Sequence, residues 1–381
     1  MTVVLDSSSD GARTHALIIG VGTYRHLPSG QEPRLAKDYG LEQLTSPPIS
    51  ARAFADWLAK DYRNPDAPLG SIDMLLSEAV PRPYVLPGGK RFDPDPATWK
   101  NIQSSFDSWY EKCNLNEESV ALFFFCGHGV MKENLALLPD DFGKRKQSPF
   151  ADTIDFEGTY RGMKRCAART QCYFIDSCRQ IPYDVLNEAE RLGNPLISPN
   201  VRVKRRRSAL DAPIIYASAN QSSAYGRRDG TKFTKALLAC LAGYGAKRLA
   251  GKWVITTDRL GQSVRRQVER ENRRGGPPQN CECDGVTIAT PIHFLRAPPE
   301  WPVTVSLRPR KAEAEADMSL VSQRNRRVQA RRTRKPGDWE THVPPDIYNV
   351  FASFKRGTYR DTQSELWANE PYVEEVMTVT A

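Results

Sequence analysis

Two stretches decide the reading of this chain, Leu122-Phe-Phe-Phe-Cys-Gly-His-Gly129 and Cys172-Tyr-Phe-Ile-Asp-Ser-Cys-Arg179. Each is rich in Phe, Leu or Ile up to its last one or two positions, the composition of a central strand covered on both faces. Each then ends in a reactive side chain, His128 standing 50 positions before Cys178. Open α/β sheets place their sites at the carboxyl ends of such strands. A thiol is a weak nucleophile at its ordinary pKa of about 8.5, and a neighbouring imidazole can hold it as a thiolate. One Cys and one His can therefore make a hydrolase.

Outward from these stretches, short apolar runs bounded by turn residues predict strands near 15–21, 72–77, 119–126, 171–177, 213–219 and 287–295. Helices are expected near 50–62, 96–113, 158–168, 231–244 and 258–272, with Pro96 opening the second, where its missing N–H costs nothing. This alternation predicts an α/β fold: a mostly parallel six-stranded sheet with helices on both faces. Two irregular stretches interrupt it, 180–212 and 273–285, and loops of such length are commonly gates or cleavage sites. Residues 1–13 read as a flexible N-terminus, 14–297 as one domain, and 298–381, beyond Ala297-Pro-Pro-Glu-Trp301, as a small all-β, sandwich-like accessory domain.

At 381 residues with 40% hydrophobic content, the chain is long enough for a real core and a second, smaller domain. No apolar run reaches the roughly 18 residues of a spanning helix, and the first ten residues lack a signal-peptide pattern, so the expected location is cytoplasmic, without membrane contact. Eight dispersed cysteines do not form a disulfide framework. Cys281 and Cys283 lack two further ligands nearby, and no metal is expected. The formal charge of +9 is concentrated: residues 298–381 hold 13 Lys/Arg against 12 Asp/Glu, whereas Arg202, Lys204, Arg205, Arg206 and Arg207 form one basic run. A nucleic-acid binder would show a basic stripe with interleaved aromatics, and none is visible, which disfavours that partner.

The Gly-His-Gly and Asp-x-Cys-Arg motifs, each closing a hydrophobic strand, resemble the caspase and metacaspase superfamily of cysteine peptidases, in its bacterial metacaspase-like form. Ala16-Leu-Ile-Ile-Gly-Val-Gly-Thr-Tyr24 is similar to that family's first strand, and Pro213-Ile-Ile-Tyr-Ala-Ser-Ala-Asn-Gln221 to the strand after its cleavable loop. The resemblance spans about residues 14 to 296. It implies Cys178 as nucleophile, His128 as general base, and the N–H groups of Gly129 and Cys178 as an oxyanion hole. It implies that Asp176 lines the pocket for an Arg or Lys before the scissile bond, with Asn220, Gln221 and Tyr225 on the pocket's other side. No Arg stands where family members that cut after Asp keep theirs; Arg25 and Arg52 are close but poorly aligned. The run around Arg205, Arg206 and Arg207 falls at the family's intersubunit linker, so self-cleavage is expected there. A regulated endopeptidase in bacterial stress, cell death or antiviral defence follows, acting on protein substrates, with an activator or other regulatory partner at the C-terminal domain. It needs no obligatory cofactor, and calcium activation is not readable. Four alternatives stay open: a catalytically silent scaffold or binding module, a peptidase with a non-basic preference, a solvated basic loop that is never cut, and a nucleic-acid binder using the basic stretches 202–207 and 324–335.

Overall fold

The computed structural model describes every residue except 1, 8–10, 188–191, 200–208, 220–225, 228, 276 and 356. The chain divides into two compact units, one of residues 1–238 and 255–294, the other of residues 239–254 and 295–381.

The first unit is built on a sheet of β1 (Val3–Asp6), β2 (Thr14–Val21), β3 (Leu69–Ser77), β4 (Val120–Cys126), β5 (Thr170–Asp176), β6 (Ile214–Tyr216) and β7 (Glu282–Asp284), in the order β1-β3-β2-β4-β5-β6-β7. The inner five strands run parallel and the two edges antiparallel. All residues of β2, β4 and β5 are buried, as expected of strands with helices over both faces. The main helices are α1 (Ser46–Lys60), α2 (Trp99–Cys113), α3 (Phe156–Met163), α4 (Lys232–Ala239) and α5 (Thr257–Arg273). From α1, Phe54 stacks on Phe124 of β4 with ring centroids 4.8 Å apart. From α2, the indole N–H of Trp109 donates to the His15 carbonyl of β2 at 3.0 Å.

Five of the six expected sheet strands are present, and the count rises to seven through the edges. The first thirteen residues, expected to be flexible, supply edge strand β1. The other edge, β7, lies in the 273–285 stretch that was expected to be irregular, while 287–295 forms only the short strand Pro291–Phe294 outside this sheet. An edge strand is short and half-solvated, so it lacks the apolar run that betrays a central one. Helix α1 begins at Ser46, ahead of its expected start, because Pro47 and Pro48 fit the first turn. Helix α2 begins later than Pro96: the Thr98 side chain caps it by accepting the Asn101 N–H at 3.2 Å.

The second unit holds β8 (Trp301–Arg308), β9 (Asp317–Ser322), β10 (Val328–Arg332), β11 (Trp339–Val343), β12 (Asp346–Ser353), β13 (Thr362–Ala368) and β14 (Val373–Thr378). They form two sheets, β11-β8-β14 and β10-β9-β12-β13, around a core including Val303, Val305, Leu320, Tyr348, Val350 and Leu366. The expected antiparallel pattern holds except that β8 and β14 pair in parallel.

Phe124 is fully buried between layers, so Phe124→Ala should destabilise the first unit by about 3–5 kcal/mol, the range for emptying an aromatic core site. Urea unfolding checks this; a loss below about 1 kcal/mol would mean that the site collapses to fill the gap.

Candidate functional site

The register of β4 and β5 builds the site. Cys126 is level with Asp176, so His128 and Cys178 each lie two residues past the last paired position, on adjacent strand tips. The Gly127 N–H donates to the Asp176 carbonyl at 3.2 Å, carrying the alignment one step beyond the ladder. Both side chains are half-buried and line one cleft of about 510 Å³. Its walls are Tyr39, Gly40 and Leu41 on one side and Gln180, Ile181 and Pro182 on the other. In chain order β2, β3, β4, the sheet reverses direction between β2 and β4, and open α/β sheets site their clefts at such a reversal.

His128 is held by the residues that follow β2. Its Nε2 lies 2.6 Å from the Glu42 carbonyl, which can only accept, so Nε2 carries the proton and Nδ1 is left as the basic nitrogen. Its backbone N–H donates to the Tyr24 hydroxyl at 2.7 Å, and the two rings pack at 4.8 Å. Burial lowers the His128 pKa, and the Glu42 carbonyl opposes that shift by stabilising the charged ring. Gln43 fixes this loop: its carbonyl oxygen accepts the Tyr24 N–H at 2.7 Å, and its amide donates to the Tyr24 and Pro28 carbonyls, each at 2.9 Å. None of these positioning groups was legible in the sequence: the Glu42 carbonyl leaves no side-chain signature, and Tyr24 and Gln43 act through loop contacts that only the fold creates.

The two glycines flanking His128 are required by contact with the chain itself. A Cβ on Gly127 would lie 2.9 Å from the Tyr24 hydroxyl oxygen, and one on Gly129 would lie 2.5 Å from the Cys178 carbonyl oxygen and 2.6 Å from Ser177 Oγ. The Met131 N–H donates to the Gln180 carbonyl at 2.8 Å; by the alternation of an extended strand, the Gly129 N–H faces the same Cys178–Gln180 side.

Asp176 is buried and is not among the cleft-lining residues. Its Oδ2 accepts the hydroxyls of Thr231, just ahead of α4, and of Thr234 in its first turn, the latter at 2.7 Å. Burial pushes its carboxyl up to about 6, against the pull of the Thr231, Thr234 and Cys126 side chains. Among the described residues no cation pairs with it. Arg25 pairs with Asp140 at 3.2 Å and Arg52 with Glu78 at 2.7 Å. Arg179 lies over the Tyr216 ring at 4.1 Å and pairs with Glu282 at 2.5 Å, tying the segment after Cys178 to β7. Asn220, Gln221 and Tyr225, and Arg205, Arg206 and Arg207, fall outside the described residues. Of the other cysteines, 113, 126, 166, 172 and 240 are buried, and desolvation raises the thiol pKa values of Cys113, Cys126, Cys172 and Cys240.

A family model described as the caspase domain matches residues 13–287. An uncharacterized Sinorhizobium fredii protein, y4kE, is 27% identical over 339 residues, covering 78% of this chain and 95% of its own length. A Geobacter sulfurreducens crystal structure aligns at TM-score 0.43 and 12% identity over 74% of this chain and 98% of that one. Caspase-1 from Spodoptera frugiperda aligns at 0.41 and 11% over 77% and 96%. Among the described residues no helix is long and apolar enough to cross a membrane.

Because the folded Asp176 carboxyl titrates above its ordinary value of 3.8, the native chain binds that proton more tightly than the unfolded chain. The associated stability is complete below about pH 4 and is lost as pH rises through about 6. The stability of the wild type relative to Asp176→Asn should therefore fall by up to about 3 kcal/mol between those limits and neutrality. Paired urea titrations across this window read the difference directly; a flat difference would show an ordinary carboxyl.

Proposed function

Because this chain belongs to the caspase-domain family, whose members are cysteine peptidases, we propose that it is an endopeptidase in which Cys178 and His128 form the working pair. The observation that supports this most is the level placement of the two side chains on neighbouring parallel strands, facing one cleft. His128 takes the Cys178 proton at Nδ1, its other nitrogen being committed to Glu42. The thiolate adds to the scissile carbonyl carbon, and the developing oxyanion sits against the N–H groups of Gly129 and Cys178, where one donor is typically worth roughly 2.7–4 kcal/mol. The imidazolium returns its proton to the departing amine, leaving a thioester on Cys178. Water then adds with His128 again as base, releasing the acid and restoring the thiol.

The residue before the cleaved bond is basic on this reading. A desolvated carboxylate without a cation has an electrostatic reason to accept a guanidinium or ammonium, and Asp176 is such a group. In the described form two threonine hydroxyls cover it, so the form is latent, and substrate or an activator must uncover the pocket.

A thiol-reactive peptide probe ending in Arg should label the wild type at Cys178 and leave Cys178→Ala unlabelled, with His128→Ala slower by roughly 10²–10⁴. Preferential labelling by an Asp-ending probe would remove the basic preference; no labelling of folded protein by either would favour a silent scaffold. The same preference makes the chain its own substrate after Arg205, Arg206 or Arg207. Active wild type should run as two fragments and Cys178→Ala as one band, and an active enzyme that stays whole would contradict self-processing.

A further inference from the structure

The second unit carries a charge separation that its composition hides. Residues 318–337 contain seven basic side chains, Arg324, Arg326, Arg327, Arg331, Arg332, Arg334 and Lys335, and no acidic one. Residues 361–381 contain five acidic side chains, Asp361, Glu365, Glu370, Glu374 and Glu375, and no basic one. The two segments meet where the Gln323 amide donates to the Glu365 carboxylate at 2.7 Å, and their strands otherwise lie at the two edges of one sheet. In the sheet β10-β9-β12-β13, the basic segment supplies edge strand β10 with its flanking turns, and the acidic segment supplies the other edge strand, β13. Strand β14, which ends the second sheet of the same unit and packs beside β13, adds Glu374 and Glu375 to the acidic side.

Both edges are presented to solvent. Arg324, Arg326, Arg327, Arg331 and Lys335 are exposed, and Val328 among them is 42% exposed. On the acidic side Glu365 and Glu374 are exposed, and so are Trp367 at 54% and Val376 at 51%. Trp367 donates its indole N–H to Glu365 at 2.8 Å, and a guanidinium is a favourable group to lie over its open face. Charged side chains on a sheet edge commonly serve only to block pairing with other copies. That purpose calls for one sign on both edges, so that copies repel. Opposite signs on opposite edges draw copies together head to tail, each basic edge meeting the next acidic edge.

We propose that this unit is a self-association module in which the Arg-rich edge around β10 of one copy docks on the Glu- and Trp-bearing edge of β13 and β14 of a second copy. The contact is heterologous, so it extends into rings or open chains rather than stopping at a two-fold dimer. The sheet geometry is compatible: four strands of strictly alternating direction, repeated edge to edge, keep the alternation across the junction. Arg332 is committed within its own copy, donating to the Lys335 and Gly337 carbonyls, and the contact is made by the other basic side chains. The proposal is independent of peptidase chemistry.

Sedimentation of the full chain tests it. The mass should rise with protein concentration at low ionic strength and fall back to one chain at about 0.5 M salt, where the Debye length shrinks to a few ångströms. Reversing the basic edge (Arg324→Glu, Arg327→Glu, Arg331→Glu) or the acidic edge (Glu365→Lys, Glu374→Lys) should each weaken association by about tenfold or more. An equimolar mixture of the two folded variants should recover it, since one then offers acidic edges and the other basic edges. The milder Arg327→Gln should weaken association by a few fold. A wild type that stays single at all concentrations in low salt overturns the proposal. So does a mixture of folded variants that stays apart, or a single-chain wild type that instead binds DNA or RNA through the basic edge.

Discussion

The parallel register between Val120–Cys126 and Thr170–Asp176 is the constraint on which the site depends. Seven buried residues in each strand fix that register, because a one-residue slip would turn every side chain to the opposite face of the sheet. With Cys126 opposite Asp176, two residues of further chain on each side bring an imidazole and a thiol to the same height. The geometry of the site thus follows from packing several residues away, in strands that carry no reactive group of their own facing the cleft.

Desolvation is the common force on the groups around this point. It lowers the basicity of His128, holds the Tyr24 hydroxyl neutral, raises the Asp176 carboxyl and suppresses the thiolates of the core cysteines. Cys178 is instead half-buried and lines the cleft. The penalty on Asp176 is relieved by two hydroxyls and the Cys126 thiol, and such neutral groups stabilise a carboxylate less than a cation does.

The inner strands were legible in the sequence because their apolar runs answer to burial on both faces, and burial is what a run of Phe and Ile records. Strands β1 and β7 were not, since an edge half in water needs no such run: Glu282-Cys-Asp284 is exposed throughout. Strands β9, β10 and β13 leave a similarly weak mark. Val328-Gln-Ala-Arg-Arg332 and Thr362-Gln-Ser-Glu-Leu-Trp-Ala368 have few β-branched residues, and their pairing is set by neighbours far along the chain. At the site, His128 and Cys178 stood out by residue type and position. The Glu42 carbonyl and the clamp by Gln43 did not, because their part comes from backbone geometry that only the folded loop creates.

On the proposed reading, the two halves of the site differ in readiness, and this locates the control. The imidazole is oriented by a carbonyl on one side, a tyrosine hydroxyl at its backbone, and two glycines that admit no larger residue. The acidic group that would choose the substrate is instead sealed beneath the first turn of α4, which Thr231 and Thr234 bind to it. An activating event then has a small task. It need not assemble a catalytic pair; it has only to loosen two hydroxyl contacts and admit a positive charge, whose attraction to a desolvated carboxylate favours the open pocket once substrate arrives.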